Sequence, residues 1–220
     1  TLKLQLTLQE QGFIVRKHTD NLEAYDAFLR GQEYHFRFTK ETNAQTRQLF
    51  EKAIELDPQY AEAYAWLGHT YWLERVWSWS ADPPTLERIF EMAQKAVALD
   101  DSLPVGHSLL STVYAMQQQY EQALAEGERA ITLDPNNADS YAWQGQTLSQ
   151  AGRPEDARRR VEQAMRLNPR YPFWYLFQVG WAYRMTGRYA EAIAALQECV
   201  SRNPNFIYAH LHLAGSYLWQ

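Results

Sequence analysis

The chain has 220 residues, 46% of them hydrophobic, with 21 Lys and Arg against 26 Asp and Glu, a net charge of −5. That composition can bury a sizeable core, and it offers no basic field to hold a phosphate backbone, so direct nucleic-acid binding is not expected. The apolar runs fall far short of a membrane span, the opening TLKLQLTLQEQG lacks the parts of a signal peptide, and the single Cys199 cannot form an internal disulfide; a cytoplasmic location is expected.

Residues 1–23 read as a helical linker. Beyond them, Pro58, Pro135, Pro169 and Pro204 each follow a helical-looking stretch and precede an aromatic-rich one. The last three stand 34 and 35 positions apart, whereas Pro58 to Pro135 is 77, two units of 34 plus nine. Asp101, in VALDDSLP, occupies the place of the missing proline, so the nine surplus residues lie between Pro58 and Asp101. WLERVWSWSADPPTLER is the stretch there that breaks helical periodicity. The units fall at 24–60, 61–103, 104–137, 138–172 and 173–206, with a half unit at 207–220. Because the chain starts without methionine and stops within a unit, it is expected to be a piece of a longer protein.

Each unit reads as two helices. In the fourth, Tyr141, Ala142, Gly145 and Leu148 form one buried stripe, and Gly152 ends the helix at a left-handed cap. Pro154 and Glu155 open the second helix, where a proline loses no hydrogen bond and a carboxylate meets the helix dipole. Ala157, Val161 and Ala164 share its inner face, and Pro169 turns the chain at Asn168.

This pattern resembles the tetratricopeptide repeat, a period of 34 with a large residue at position 4, Leu at 7, small residues at 8, 20 and 27, Tyr at 11, Phe at 24 and proline at 32. Gly31, Tyr34, Phe50, Ala53 and Pro58 match in the first unit, with three extra residues near Phe38 to Thr42. Tyr64, Leu67, Gly68, Tyr71 and Ala96 match in the second; Leu110, Tyr114, Ala123, Ala130 and Pro135 in the third; Tyr141, Gly145, Ala157, Ala164 and Pro169 in the fourth. Gly180, Tyr183, Ala192 and Pro204 match in the fifth, where Cys199 takes an alanine position, and Leu213, Ala214 and Tyr217 in the sixth. The resemblance implies an all-α right-handed superhelix, an α-solenoid of helix-turn-helix repeats in which no unit buries its face alone. The first quarter of the chain also resembles the opening repeat of bacterial signalling proteins, in which such arrays follow a class III adenylate or guanylate cyclase domain or a winged-helix domain. None of the cyclase's own motifs is present, so no catalytic residue and no cofactor is expected.

In this family the first helices of the units line a concave groove. The positions that face it supply Phe28, Gln32, His35 and Phe36 from the first unit, His69 and Trp72 from the second, Gln146 from the fourth, and Trp174, Phe177, Trp181 and Arg184 from the fifth. The groove is thus expected to be aromatic at both ends and polar in the middle, suited to a protein or peptide partner. Trp66 and Trp143 share position 6, close to the lining but turned to the neighbouring helix. The carboxylate clamp of chaperone-binding members, Lys at position 5 and Asn at position 9, is absent.

Three features stand outside the repeat. Trp77 and Trp79 in the insertion make an apolar knob that either folds onto the groove, reaches a partner or covers the gap made by the insertion. The run Arg158, Arg159, Arg160 reads as a solvated outer face. His210 and His212 point to different helix faces, which argues against a metal pair. The alternative to a peptide scaffold is a spacer or self-association module, in which the uncovered stripe at Leu213, Ala214 and Tyr217 pairs with a second copy.

Overall fold

The structure, a computed structural model, describes residues 19–35 and 37–219. These form eleven helices and no strand: α1 (Leu22–His35), α2 (Lys40–Leu56), α3 (Ala61–Val76), α4 (Leu86–Leu99), α5 (Pro104–Met116), α6 (Tyr120–Leu133), α7 (Ala138–Gln150), α8 (Pro154–Leu167), α9 (Phe173–Met185), α10 (Tyr189–Arg202) and α11 (Ile207–Tyr217). Consecutive helices pack as hairpins, each hairpin stacks on the next, and α11 closes the stack against α9 and α10. Most of residues 1–23, read as a linker from sequence, lie outside the described residues, as does Phe36.

The repeat residues explain the stacking. Ala53, Ala96, Ala130 and Ala164 are fully buried, and Cys199 at the equivalent place is buried as completely. Small side chains let helix backbones approach, and Gly145 shows how closely: a Cβ there would stand 2.5 Å from Val161 Cγ2 and 3.2 Å from the Ala157 carbonyl oxygen. Turns within hairpins repeat as well. Gly152 ends α7 at φ 74°, and the Arg153 N–H donates to the Leu148 carbonyl at 2.8 Å, a left-handed cap that Gly187 reproduces after α9.

Both irregular units lengthen a helix, and the second keeps this turn. In the second, the left-handed residue is Ser78 (φ 50°), and the Trp79 N–H donates to the Glu74 carbonyl at 3.1 Å. α3 therefore has 16 residues where α5, α7 and α9 have 13, and the rest of the insertion forms the loop up to Thr85, whose side chain caps α4. In the first unit the three extra residues near Phe38 to Thr42 are helical. They extend α2 to 17 residues, against 14 in the other second helices, behind a capping box between Thr39 and Thr42.

Candidate functional site

α3, α5, α7, α9 and α11 present one face each to the concave side. Along α9, Trp174, Phe177, Gln178 and Trp181 follow the i, i+3, i+4, i+7 spacing of a single stripe, and all four line a cavity of about 360 Å³. Trp72 and Trp77 close it from the α3 side, Trp143, Gln146 and Gln150 from α7, and Tyr208 and His212 from α11. The ring contacts run along the wall in two groups. Trp143 packs 5.1 Å from Trp72 and 4.9 Å from Trp174, and Phe177 lies 6.2 Å from Trp181. Between them Gln178 Nε2 donates to Gln146 Oε1 at 2.8 Å.

The sequence suggests a groove with two separate aromatic ends; in the structure those ends meet. Tyr208 on α11 donates its hydroxyl to the Val76 carbonyl at the end of α3, 2.7 Å away. Trp77 stacks on Phe206 with 5.0 Å between centroids, and Phe38 meets Phe173 edge-on at 5.3 Å. The knob of Trp77 and Trp79, with centroids 5.2 Å apart, thus folds onto the concave side. An open channel along the array becomes a walled cavity.

Of the residues suggested from sequence, Trp72, Gln146, Trp174, Phe177 and Trp181 line the cavity together. Phe28 does not. It is 2% exposed, packed between Phe50 and Tyr60 at 5.5 and 4.9 Å, because α1 turns that face onto α2 and the head of α3. His35 and His69 form a layer behind the wall. His69, 1% exposed, is enclosed by Trp66, Trp72 and Trp143, and burial, with a smaller contribution from His35, lowers its pKa to about 3; burial lowers that of His35 to about 4. Both imidazoles are neutral packing groups at pH 7, not groove-facing ones. Gln32 is half-buried on α1, outside the cavity lining. Arg184 lies at the edge of the site beside His212, with its guanidinium over Gly215: a Cβ on that glycine would come within 3.0 Å of Nε and Nη2.

Sequence reasoning missed Trp143, Phe38, Phe173, Phe206, Tyr208 and Gln178 as lining residues. For Trp143 a signal existed, an aromatic at position 6 in two units. The others come together through the curvature of the whole stack.

Away from the cavity, the outer arginines are paired: Arg158 with Glu155 and Glu162, Arg159 with Asp156, Arg160 with Glu128. Among the described residues no cluster of His, Cys, Asp or Glu could hold a metal ion, and no helix is long and apolar enough to cross a membrane.

A model of the TPR repeat family matches residues 45–73. The fold agrees: superposition on a thermophilic TPR protein of Thermus thermophilus gives a TM-score of 0.68 over 89% of this chain and 99% of that one, at 20% identity. The chain has the fold of a tetratricopeptide-repeat solenoid. Within the TPR array, residues 116–199 also match the family described as anaphase-promoting complex, cyclosome, subunit 3. Two curated relatives align with part of the chain. A putative adenylate cyclase 3 of Rhizobium meliloti (strain 1021) is 30% identical over 123 residues, 56% of this chain and 21% of that protein. Anaphase-promoting complex subunit 3 of Schizosaccharomyces pombe (strain 972) is 30% identical over 115 residues, 52% of this chain and 17% of that protein. The TPR chain therefore matches about a fifth of each relative's length. The TPR solenoid is a scaffold fold typical of protein–protein interaction.

Proposed function

We propose that this TPR array is the interaction or regulatory part of a longer bacterial signalling protein, and that it holds a segment of a protein or peptide partner at its concave aromatic cavity. The observation that carries the reading is the wall of Trp72, Trp143, Trp174, Phe177 and Trp181 around a space of about 360 Å³, within the size range of pockets that take a ligand or one anchoring side chain. The limited extent of the cavity favours a single inserted group over a strand laid along the whole array. The signalling context is supported by the similarity to the Rhizobium protein named as a putative adenylate cyclase. Peptides selected on the 220-residue chain test the reading: Trp72→Ala with Trp181→Ala should weaken the best binder at least 10-fold while helicity is retained. Unchanged affinity would rule the cavity out.

A second reading, self-association, is favoured by one observation. Of the stripe suggested from sequence, Ala214 and Tyr217 are exposed and Leu213 is half-buried, and Ile207 and Leu211 on the same helix are 56% and 60% exposed. Light scattering decides it; a monomer at high micromolar concentration would remove it.

A further inference from the structure

Several buried polar atoms around the cavity lack a hydrogen-bond partner among the described residues, one of them an acceptor, Gln178 Oε1. Trp174, 7% exposed, has its indole Nε1 buried with no hydrogen-bond partner among the described residues. The same holds for Arg184 Nε, a donor, and for His212 Nδ1, which donates or accepts according to the tautomer of a neutral ring. Arg184 makes no ion pair with any described carboxylate, although 14 such pairs or close His–carboxylate contacts occupy the rest of the molecule. Arg184 continues the α9 stripe one turn beyond Trp181, and Gly215 leaves the space its guanidinium occupies. His212 lies 5.7 Å from Trp181 and 5.2 Å from Phe177, joining this cationic corner to the aromatic wall. Among the described residues no Asp or Glu lines the cavity.

Buried donors without acceptors are costly to leave unmade, and a guanidinium pairs best with a planar carboxylate that takes two of its N–H groups. A cationic guest would meet aromatic faces but also Arg184, with no carboxylate to offset the repulsion. The guest that satisfies both halves of the site is an apolar body with an anionic head.

We infer that the cavity recognises an apolar group bearing a carboxylate, its hydrophobic part enclosed by Trp143, Trp174 and Trp181 and its carboxylate facing Arg184 at the His212 end. This rests on the cavity reading above and names the ligand chemistry. The carboxylate has two sources, a free small acid or the end of a peptide chain, and both present the same head group.

The test uses 3-phenylpropanoate, 3-phenylpropanol and 3-phenylpropylammonium, titrated onto the chain with tryptophan fluorescence and calorimetry as readouts. The acid should bind at least 10-fold tighter than the alcohol, and the ammonium more weakly than either. Arg184→Met should bring the acid to the affinity of the alcohol and leave the alcohol unchanged; Arg184→Lys should retain part of the preference and controls for folding. A tripeptide, Gly-Gly-Phe, compared as free acid and as amide, separates the sources: tighter binding by the tripeptide acid than by phenylpropanoate indicates a chain end, the reverse a small acid. Equal binding of acid and alcohol, or a preference for the ammonium, overturns this inference while the cavity reading stands. If no probe binds but selected peptides do, and the tryptophan variants weaken those peptides, this inference is again overturned and the proposed function survives.

Discussion

Tyr208 donates its phenolic proton to the carbonyl oxygen of Val76 at 2.7 Å, joining the last described helix to the end of the third helix across 132 residues of chain. Contacts of this span are unusual in a solenoid, where each repeat normally touches only its neighbours. The extra residues at the end of α3 make the contact reachable, since the longer helix carries Val76 and Trp77 out over the concave side.

Weakening that closure should loosen the array without unfolding it. Tyr208→Phe removes one hydrogen bond, about 1 kcal/mol, and Trp77→Ala removes the stack on Phe206, about 0.5–1.5 kcal/mol beyond the lost area. The double variant is expected to show a larger radius of gyration in X-ray scattering and faster hydrogen exchange around residues 76–79, with helicity unchanged. An unaltered scattering curve would mean the closure does not hold the ends together.

Gly145 and Gly152 separate packing from backbone strain. Gly145→Ala drives a methyl into Val161 and the Ala157 carbonyl, an overpacking expected to cost about 1–3 kcal/mol. At Gly152, with φ at 74° and nothing within 4 Å, alanine meets no neighbour and incurs only the left-handed penalty, about 1–2 kcal/mol. Urea unfolding should show that Val161→Ala partly rescues Gly145→Ala and does nothing for Gly152→Ala.

Stability should depend on pH through the buried imidazoles. His35 and His69 have folded pKa values of about 4 and about 3, below their unfolded 6.5, so the unfolded chain binds more protons between those values. Their contribution is present above pH 6.5 and is lost as pH falls towards 4. Glu62 acts in the opposite sense: burial raises its pKa to about 7, so its contribution is present below the unfolded carboxylate value and is lost as pH rises to about 7. Comparing the chain with His69→Leu isolates the imidazole. The variant should lose less stability than the unmodified chain between pH 6.5 and 4; an equal loss would mean His69 is not buried in its neutral form.

Cys199 is fully buried, and burial pushes its thiol up to about 12. A thiol-reactive dye should leave the folded chain unlabelled for hours at pH 7.5 and label it stoichiometrically in urea.

The array was readable in the sequence because each helix contact is local and repeats. Gly145, Ala157, Ala164 and Pro169 recur at fixed offsets wherever backbones must approach or turn. The left-handed cap at Gly152 was equally plain. Half of the site was legible for the same reason, since Trp174, Phe177 and Trp181 follow helical spacing on one element. The remainder depends on curvature summed over five hairpins, which no single repeat encodes: Trp77 and Phe206 stack although 129 positions separate them. Phe28 misled because a groove position in the first described hairpin is covered by Phe50 and Tyr60. His69 misled because polar type says nothing of burial, and four aromatic rings enclose it.

The central claim, that partners are held in the concave cavity, is tested most directly by indole N–H resonances. The eight tryptophans give eight probes spread over the molecule. On titration with a selected peptide, the signals of Trp72, Trp143, Trp174 and Trp181 should shift together and saturate with one affinity, while exposed Trp219 stays fixed. Saturable binding that moves Trp219 and leaves those four unchanged would contradict it.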